Sequence, residues 1–439
     1  MPNFFYWIKR GMFRLIKILA IETSCDETSI AIADFFGTKR TPHVRILSHI
    51  VLSQISLHKK FGGVVPNLAR REHEKNLAPI LLQALKESNF LVSSIKHQVL
   101  RNEKSKALNT KYLILNTILG REPELLKQFI KKILPLNPPL IDAIAVTYGP
   151  GLAPALWVGV NFARALSYLW EKPLIPVNHM AGHLYSALLQ NPRRHSERSE
   201  ESNRSFGFRP QDDKIKYGVA TIKFPALALL VSGGHTELVL MKAHGKFKVI
   251  GETLDDAAGE AFDKVARILG FGYPGGPEIS RQAEKSKSDF YGPEVGLQRI
   301  KLPRPMIHTK DHNFSFSGLK TAVLYLARDL GPKKTKRLRA FIAKEFQDAV
   351  VEVLVKKTIR AAKEYKVKTI LLGGGVAANK HLRQELTKTV SSQSSNVKCR
   401  LSDVTLAGDN ALMIAAAAYF MDKKIAWRKL QADANLRLD

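Results

Sequence analysis

Cysteine, acidic residues and long apolar runs are all scarce in this sequence. Its only cysteines are Cys25 and Cys399, which excludes a disulfide framework and favours a reducing, cytoplasmic location. The apolar pieces near the N-terminus are short and interrupted by lysine and arginine. No stretch of about 18 apolar residues follows, so we expect no membrane-spanning helix and no membrane partner. We interpret residues 1–14 as an N-terminal extension.

The scarcity of acidic residues leaves a large positive charge. The 439 residues include 68 Lys and Arg against 39 Asp and Glu, which gives a formal net charge of +29. Such an excess favours a polyanionic partner, most simply a nucleic acid, because each neutralised phosphate releases counterions. A basic proteome or a solubility device is the alternative explanation.

Two similar strand–turn–strand patterns lie far apart in the chain. The first runs from Lys17 to Asp34 and the second from Leu227 to Met241. Each has a small polar turn, and stretches with helical spacing of apolar residues lie between and after them. Two copies of a pattern are too few for a solenoid. They indicate a duplicated α/β domain, so we predict two lobes with a cleft between them.

The predicted domain boundaries follow from these patterns. We expect a first lobe over 15–190, a second lobe over 217–408, and a C-terminal helix and tail over 409–439 that return to the first lobe. Two segments look inserted. Residues 91–138 are Lys-rich, and residues 191–216 are polar and of mixed charge with little to bury, so the second is predicted to be a disordered loop.

A pair of histidines indicates a metal site. His179 and His183 are four residues apart, so on a helix both imidazoles lie on one face and can bind one ion. Met180 stands where a zinc protease needs glutamate as general base, so that class is disfavoured. Asp409 precedes the last helix and is either its N-cap or a third ligand. Two ordinary interfacial histidines are the alternative.

Two glycine-containing turns and one basic run suit anionic ligands. The turn from Ser232 to His235 predicts a cradle for phosphate or carboxylate, since glycines let backbone N–H groups converge, or else a tight hairpin. The run from Gly373 to Asn379 follows a buried strand and opens a helix, which suits a nucleotide. The basic run Lys333–Arg339 either contacts phosphates or is a solvated helix start.

Taken together, these features resemble one family, the tRNA adenosine threonylcarbamoyltransferases, from about residue 17 to 420. Ala181 departs from the family pattern, which usually has glutamate there. The resemblance rests on nine runs in matching order: Ile21–Thr28, Phe61–Pro66, Gly149–Leu152, His179–His183, Leu230–Thr236, Asp255–Lys264, Tyr273–Pro277, Asn313–Lys320 and Gly373–Asn379.

The resemblance implies an actin-like fold, the two-lobed architecture of sugar kinases and Hsp70, with an interlobe cleft. It implies transfer of a threonylcarbamoyl group from threonylcarbamoyl-AMP to N6 of the adenosine 3′-adjacent to the anticodon, in tRNAs reading ANN codons. It also implies tRNA as partner, together with a smaller actin-like paralogue and an ATPase, as in the bacterial complex that makes this modification.

The resemblance further implies the site residues. His179, His183 and Asp409 correspond to ligands of one divalent metal, usually Fe²⁺ and alternatively Zn²⁺. Asp26 and Glu27 lie in a hairpin that lines the cleft in such folds and are candidates to accept the N6 proton. The residues that correspond to the adenylate-binding set are Leu230, Val231, Ser232, Gly233, Gly234, Asp263, Gly276 and Asn379.

Three other functions remain open on the sequence. An actin-like small-molecule kinase shares the lobes and phosphate turns but does not need the histidine pair. A metalloprotease lacks its general base. A non-catalytic tRNA-binding scaffold is disfavoured because the motif residues other than Ala181 are in place.

Overall fold

The computed structural model describes residues 15–38, 42–91, 105–190, 217–286, 301–393 and 396–439. The expected extension and the predicted disordered loop therefore lie outside the described residues. Two compact units make up the chain. The first unit comprises Met1–Gln54, Val64–Thr221 and Asp409–Arg437, and the second comprises Ile55–Gly63, Ile222–Gly408 and Leu438–Asp439.

The first unit is built on a seven-stranded sheet in the order β5-β4-β1-β2-β3-β7-β6. Strands β1, β2 and β3 form an antiparallel meander, whereas β1, β4 and β5 are parallel. The central strands read as nearly continuous apolar runs because both faces of the sheet are covered. Their bounds are Ile16–Glu22 (β1), Glu27–Gly37 (β2), Pro42–Ser53 (β3), Ala143–Gly149 (β4), Leu174–Asn178 (β5), Leu189–Gln190 (β6) and Tyr217–Val219 (β7).

The second unit repeats this topology in a five-stranded sheet, in the order β10-β9-β8-β11-β12. An antiparallel meander of three strands is again followed by two parallel strands. The prediction of a duplicated α/β fold is therefore confirmed by strand order and direction. The bounds are Ala226–Val231 (β8), Thr236–Ala243 (β9), Lys246–Glu252 (β10), Thr369–Gly373 (β11) and Lys398–Leu401 (β12).

Helices connect the strands. The longest, α9, bends at Gly331, where φ is 70° and Pro332 follows. No helix in the described ranges is long and apolar enough to cross a membrane. The bounds are Ile55–His58 (α1), Pro66–Glu87 (α2), Ser105–Leu119 (α3), Pro123–Gln128 (α4), Ala153–Trp170 (α5), His179–Ser186 (α6), Ala258–Ile268 (α7), Gly275–Lys285 (α8), Ser317–Glu364 (α9), Lys380–Gln393 (α10) and Ala411–Met421 (α11).

The described part of the Lys-rich segment, residues 105–138, is helical and contributes to a core. Leu115, Leu119, Phe129 and Ile133 are fully buried in the apolar cluster of the first unit. Burial of large apolar side chains contributes about 1.5–3 kcal/mol each to folding. These helices are therefore part of the packed domain rather than a surface addition.

Candidate active site

Two imidazoles and one carboxylate converge at the carboxyl edge of the first sheet. The ligand atoms of His179, His183 and Asp409 all lie within 4.8 Å of one another. Asp409 Oδ1 is 3.1 Å from His183 Nε2 and 3.5 Å from His179 Nε2. Both histidines are buried and Asp409 is partly exposed, which is an arrangement that leaves one side of the cluster accessible.

The local sequence places these three side chains. Strand β5 ends at Asn178, whose side chain accepts hydrogen bonds from the backbone N–H groups of Met180 (2.8 Å) and Ala181 (3.3 Å) and so caps helix α6. The helix thus begins at His179, and the two histidines lie one turn apart. The N-cap of α11 is Asn410, which accepts from Met413 N at 3.0 Å, rather than Asp409.

Two side chains from strand β1 and the turn after it orient His179. Its Nδ1 lies 3.3 Å from Glu22 Oε2 and 3.1 Å from Ser24 Oγ. An N–H at Nδ1 donated to Glu22 leaves Nε2 to face Asp409, as in metal sites where an outer carboxylate fixes the tautomer of a ligating histidine. Glu22 is fully buried and also accepts a hydrogen bond from Thr147.

The charges around His179 favour its protonated form in the absence of a cation. Burial lowers the pKa of His179, but the carboxylates of Asp409 and Glu22 raise it to about 9. Burial in turn raises the pKa of Glu22, and the charge and hydrogen bond of His179 outweigh that effect and hold the pKa below its usual value. A metal ion bound here would therefore compete with a proton.

His183 is the residue whose surroundings best fit those of a metal ligand. It is fully buried, and among the residues that the structure describes neither of its ring nitrogens has a hydrogen-bond partner, although Nε2 lies 3.1 Å from Asp409 Oδ1. Buried polar atoms are almost always satisfied, so an unsatisfied imidazole beside a carboxylate calls for an explanation. A cation between the two groups would supply the missing partner. The residues present thus fit one divalent ion.

Asp26 lies on the turn between β1 and β2, and Glu27 is the first residue of β2, close to the same cluster. Asp26 is 7% exposed, and Glu27 accepts a hydrogen bond from Ser53 Oγ at 3.1 Å. Burial, the charge of Asp409 and the charge of Asp26 raise the pKa of Glu27 well above its usual value. In its ionised form a carboxylate of raised pKa is a stronger base than an ordinary one, while burial and the neighbouring charges favour the protonated form.

A buried histidine supports that turn. His73, on α2, lies 3.0 Å from the carbonyl oxygen of Cys25 through Nε2 and 2.8 Å from Thr28 Oγ1 through Nδ1. Nε2–H donates to the carbonyl, so Nδ1 accepts from the hydroxyl. Sequence reasoning missed both His73 and Glu22, because strand pairing and helix packing bring them to the site. The only available signal was the position of Glu22 inside the Ile21–Thr28 run.

The predicted phosphate turn lies at the carboxyl edge of the second sheet. Ser232 N donates to His235 O at 2.8 Å, and His235 N donates to Ser232 Oγ at 3.1 Å, so the turn is a tight hairpin. Gly233 and Gly234 are exposed, and a Cβ on either would meet no atom within 4 Å. The hairpin therefore presents open backbone, which is compatible with the predicted anion cradle.

Close backbone contacts bring helix α7 and the end of β11 to this turn. A Cβ on Gly259, in the first turn of α7, would lie 2.4 Å from Ser232 O. A Cβ on Gly374, where φ is 94°, would lie 2.3 Å from Val231 O. Because only glycine permits such approaches, the two predicted glycine motifs lie side by side at one edge of the sheet.

Asp263 and Asn379 hold helix starts at the same edge. Asp263 Oδ1 accepts from the backbone N–H of Gly275 at 2.6 Å, at the start of α8 and next to Gly276. Asn379 Oδ1 accepts from Leu382 N at 2.9 Å, while its amide nitrogen donates to Ser280 Oγ and to Gln347 Oε1, each at 2.9 Å. The predicted adenylate set thus lies in the second unit, and Ser232, Asp263 and Asn379 of that set also have structural hydrogen bonds.

Comparison with known proteins identifies the family. The family model for tRNA N6-adenosine threonylcarbamoyltransferase matches residues 45–98, 123–196 and 214–416. The unmatched stretches 99–122 and 197–213 fall inside the two segments predicted to be insertions.

Full-length relatives agree with that match. A tRNA N6-adenosine threonylcarbamoyltransferase of Thermosipho africanus is 40% identical over 411 residues, which is 93% of this chain and 94% of the relative. The protein of that name from Bacillus subtilis is 41% identical over 400 residues, 91% of this chain and 89% of the relative. The kinase alternative receives no support from these matches.

Likeness to solved structures is weaker. A crystal structure of full-length HypF is 13% identical with a TM-score of 0.46, covering 94% of this chain and 47% of that one. The fold assignment therefore rests on strand order and direction. From the family match and the full-length relatives, the chain belongs to the tRNA N6-adenosine threonylcarbamoyltransferases, which transfer a threonylcarbamoyl group to N6 of an adenosine in tRNA.

Proposed function

We propose that this chain takes the threonylcarbamoyl group from threonylcarbamoyl-AMP and transfers it to the adenosine 3′-adjacent to the anticodon in tRNAs reading ANN codons. The observation that carries the proposal is the cluster of His179, His183 and Asp409, whose ligand atoms lie within 4.8 Å of one another. An acyl-adenylate offers a carbonyl and a phosphoryl oxygen, and both are groups that a divalent metal can polarise.

The three residues are proposed to hold one divalent ion, Fe²⁺ or Zn²⁺. Imidazole nitrogens suit both ions, and three protein ligands leave a position open for substrate oxygen. When bound, the ion supplies Lewis-acid polarisation of that oxygen. Glu22 and Ser24 orient the ring of His179 toward the ion, since both lie within 3.3 Å of Nδ1.

The second unit is proposed to bind the adenylate. The exposed hairpin of Gly233 and Gly234 offers backbone N–H groups to the phosphate without side-chain obstruction. Asp263 and Asn379 fix the starts of α8 and α10, and helix starts favour negative charge. The nucleotide would then be positioned mainly by backbone, which suits a reaction in which orientation supplies much of the rate.

Glu27 is proposed as proton acceptor, with Asp26 as the alternative. The N6 amine forms a bond to the carbonyl carbon of the donor, the bond from that carbon to the phosphate oxygen breaks, and AMP leaves. The proton lost from N6 passes to the Glu27 carboxylate. Its raised pKa, caused by burial and by the charges of Asp409 and Asp26, makes it a suitable base.

The family resemblance also leads us to propose partners and location. These are a smaller actin-like paralogue and an ATPase, with the chain working in the cytoplasm. Copurification of the tagged chain with the two partners from its own cells would test the assembly.

The test of the function is transfer from supplied threonylcarbamoyl-AMP to unmodified tRNA, with the partners added. We expect transfer by the wild type and loss of both bound metal and transfer in His179→Ala/His183→Ala. The matched control is His308→Ala, which removes an exposed imidazole of the second unit and should keep both. Undiminished transfer by the double variant would contradict the metal site.

A further inference from the structure

A cluster of cationic side chains lies where α9 bends, and the proposed chemistry does not use it. Five exposed residues form this basic patch: Arg328, Lys333, Lys334, Lys336 and Arg337. We infer that the basic patch binds the phosphate backbone of the tRNA substrate. The inference rests on tRNA being the substrate and adds the place where this chain holds it.

The bend brings the members of the patch together. Gly331 breaks the helix with a φ of 70°, and Pro332 restarts it. Across the bend, Thr335 Oγ1 donates to the carbonyl of Ala327 at 2.9 Å, so the new helix start packs beside the residue that precedes Arg328. The basic patch is therefore one surface rather than two separate helix ends.

The packing of the helix sets which side chains face outward. Thr335 and Leu338 are buried, at 8% and 5% exposure, while the lysines and arginine between and before them are exposed. On a helix, positions three and four apart are neighbours, so Lys333, Lys336 and Arg337 stand on one face. The positive end of the helix dipole adds to their charge.

The basic patch has almost no internal neutralisation. In the parts of the chain that the structure describes, no carboxylate lies within 4.0 Å of the charged groups of Lys333, Lys334, Lys336 or Arg337. Arg328 has one exposed neighbour, Asp329, at 3.4 Å. Exposed ion pairs of that kind contribute little. The charges are thus available to a polyanion.

An exposed aromatic ring adjoins the basic patch on one side. The guanidinium of Arg328 lies 4.9 Å from the ring centroid of Tyr325, which is 52% exposed. An arginine beside an exposed aromatic ring is typical of surfaces that bind RNA, because bases stack on both.

The test compares a variant that lacks four positive charges of the basic patch with a control variant that lacks four positive charges elsewhere. One variant is Lys333→Gln/Lys334→Gln/Lys336→Gln/Arg337→Gln. The control has four exposed lysines changed elsewhere in the same unit: Lys223→Gln/Lys242→Gln/Lys246→Gln/Lys248→Gln. Both variants lose four positive charges, so a general effect of net charge is the same in each.

The measurement is tRNA affinity as a function of salt concentration. Each phosphate contact contributes roughly 0.7 to 0.9 to the magnitude of the slope of log K against log salt concentration. In the patch variant that magnitude should therefore decrease by up to about 3, and the affinity for tRNA should fall on the order of 10- to 100-fold. The control should change by less than about threefold. At saturating tRNA the turnover rate of the patch variant should match that of the wild type, with KM for tRNA raised.

The outcomes separate this inference from the function itself. Equal losses in the two variants, or a slope unchanged in the patch variant, would overturn the basic patch as the tRNA contact while leaving the activity established. A wild type that neither binds nor modifies tRNA would overturn both. Unchanged melting temperatures in both variants would exclude unfolding as the cause of any loss.

Discussion

The carboxyl edge of the first sheet carries imidazoles and carboxylates, whereas the carboxyl edge of the second carries glycines and backbone. Both edges follow the same strand order, three antiparallel strands and then two parallel ones. Glu22 ends β1 in the first unit, and its counterpart in the second is Val231, which ends β8. The two sheets thus share a topology, while the side chains at their carboxyl edges differ.

The difference has a physical basis in what each ligand requires. A divalent cation needs charged or imidazole donors with outer hydrogen bonds, and Glu22 and Ser24 provide these for His179. A phosphate needs converging N–H groups and room, which Gly233 and Gly234 provide.

Asp409→Ala should have the largest effect. Removing the carboxylate that lies 3.1 Å from His183 should abolish tight metal binding and lower transfer by about 10³-fold, since Lewis-acid stabilisation amounts to several kcal/mol. Binding of AMP by the second unit should stay within about threefold of wild type. Metal analysis, transfer assays and calorimetry with AMP would show whether the two edges work separately. Loss of AMP binding in Asp409→Ala would show that the two edges do not work separately.

Glu22→Gln should have an intermediate effect on the first edge. The amide keeps the shape but loses the charge that orients and polarises His179, so metal affinity should fall about 10- to 100-fold. Competition with a chromophoric chelator measures it. Glu87→Gln is the control, because Glu87 accepts from Ser48 in the same unit with no part in the cluster. An unchanged affinity in Glu22→Gln would remove Glu22 from the site.

Gly259→Ala should destabilise the second edge, while Gly233→Ala should not. The first places a Cβ 2.4 Å from Ser232 O, and such overpacking costs about 1–3 kcal/mol. The second places a Cβ in open space, so its effect on unfolding should stay below about 1 kcal/mol while affinity for AMP falls. Chemical denaturation and calorimetry measure the two quantities. Equal destabilisation by both changes would contradict the described packing.

Glu122→Gln tests the extra helices that enlarge the first unit, and its effect should be the smallest. Burial raises the pKa of Glu122 to about 7, against 4.5 as its ordinary value. The folded state therefore holds the proton more tightly, so the stability of the wild type falls as pH rises between these values and is flat outside them. The variant has no such proton to lose.

The stability of Glu122→Gln relative to wild type should therefore rise by about 1–2 kcal/mol from pH 5 to pH 7. Denaturation at the two pH values measures it. Glu124→Gln, which changes an exposed neighbour, should show no such rise. A relative stability of Glu122→Gln that is independent of pH would show that Glu122 is not held in the described buried environment.

Local patterns predicted the duplicated fold and the histidine pair. Strand–turn–strand repeats and the spacing of His179 and His183 are properties of short stretches, so the sequence contains them directly. The sequence alone left Asp409 as either an N-cap or a third ligand, and the family resemblance indicated the ligand role. In the sequence, 226 residues separate Asp409 from His183. Only the packing of α11 against the first sheet brings them together.

What sequence reasoning missed depends on packing between distant elements. His73 contacts the Cys25 carbonyl only because α2 packs against β2, and no local pattern marks it. Residues 91–138 look inserted because they are Lys-rich, and their sequence did not predict the structure of the described part. The apolar side chains between those lysines, such as Leu115 and Ile118, have helical spacing and are buried. The lysines on the exposed face of these helices made their buried apolar face hard to recognise in the sequence.

X-ray absorption at the zinc edge of the zinc-loaded wild-type protein would test the central claim most directly. Our account predicts two imidazole nitrogens and oxygen ligands at about 2.0–2.1 Å, with one imidazole lost in any residual signal from His183→Ala. A sulfur scatterer at about 2.3 Å, which would implicate the nearby Cys25, or a spectrum without imidazole, would contradict the assignment of His179, His183 and Asp409.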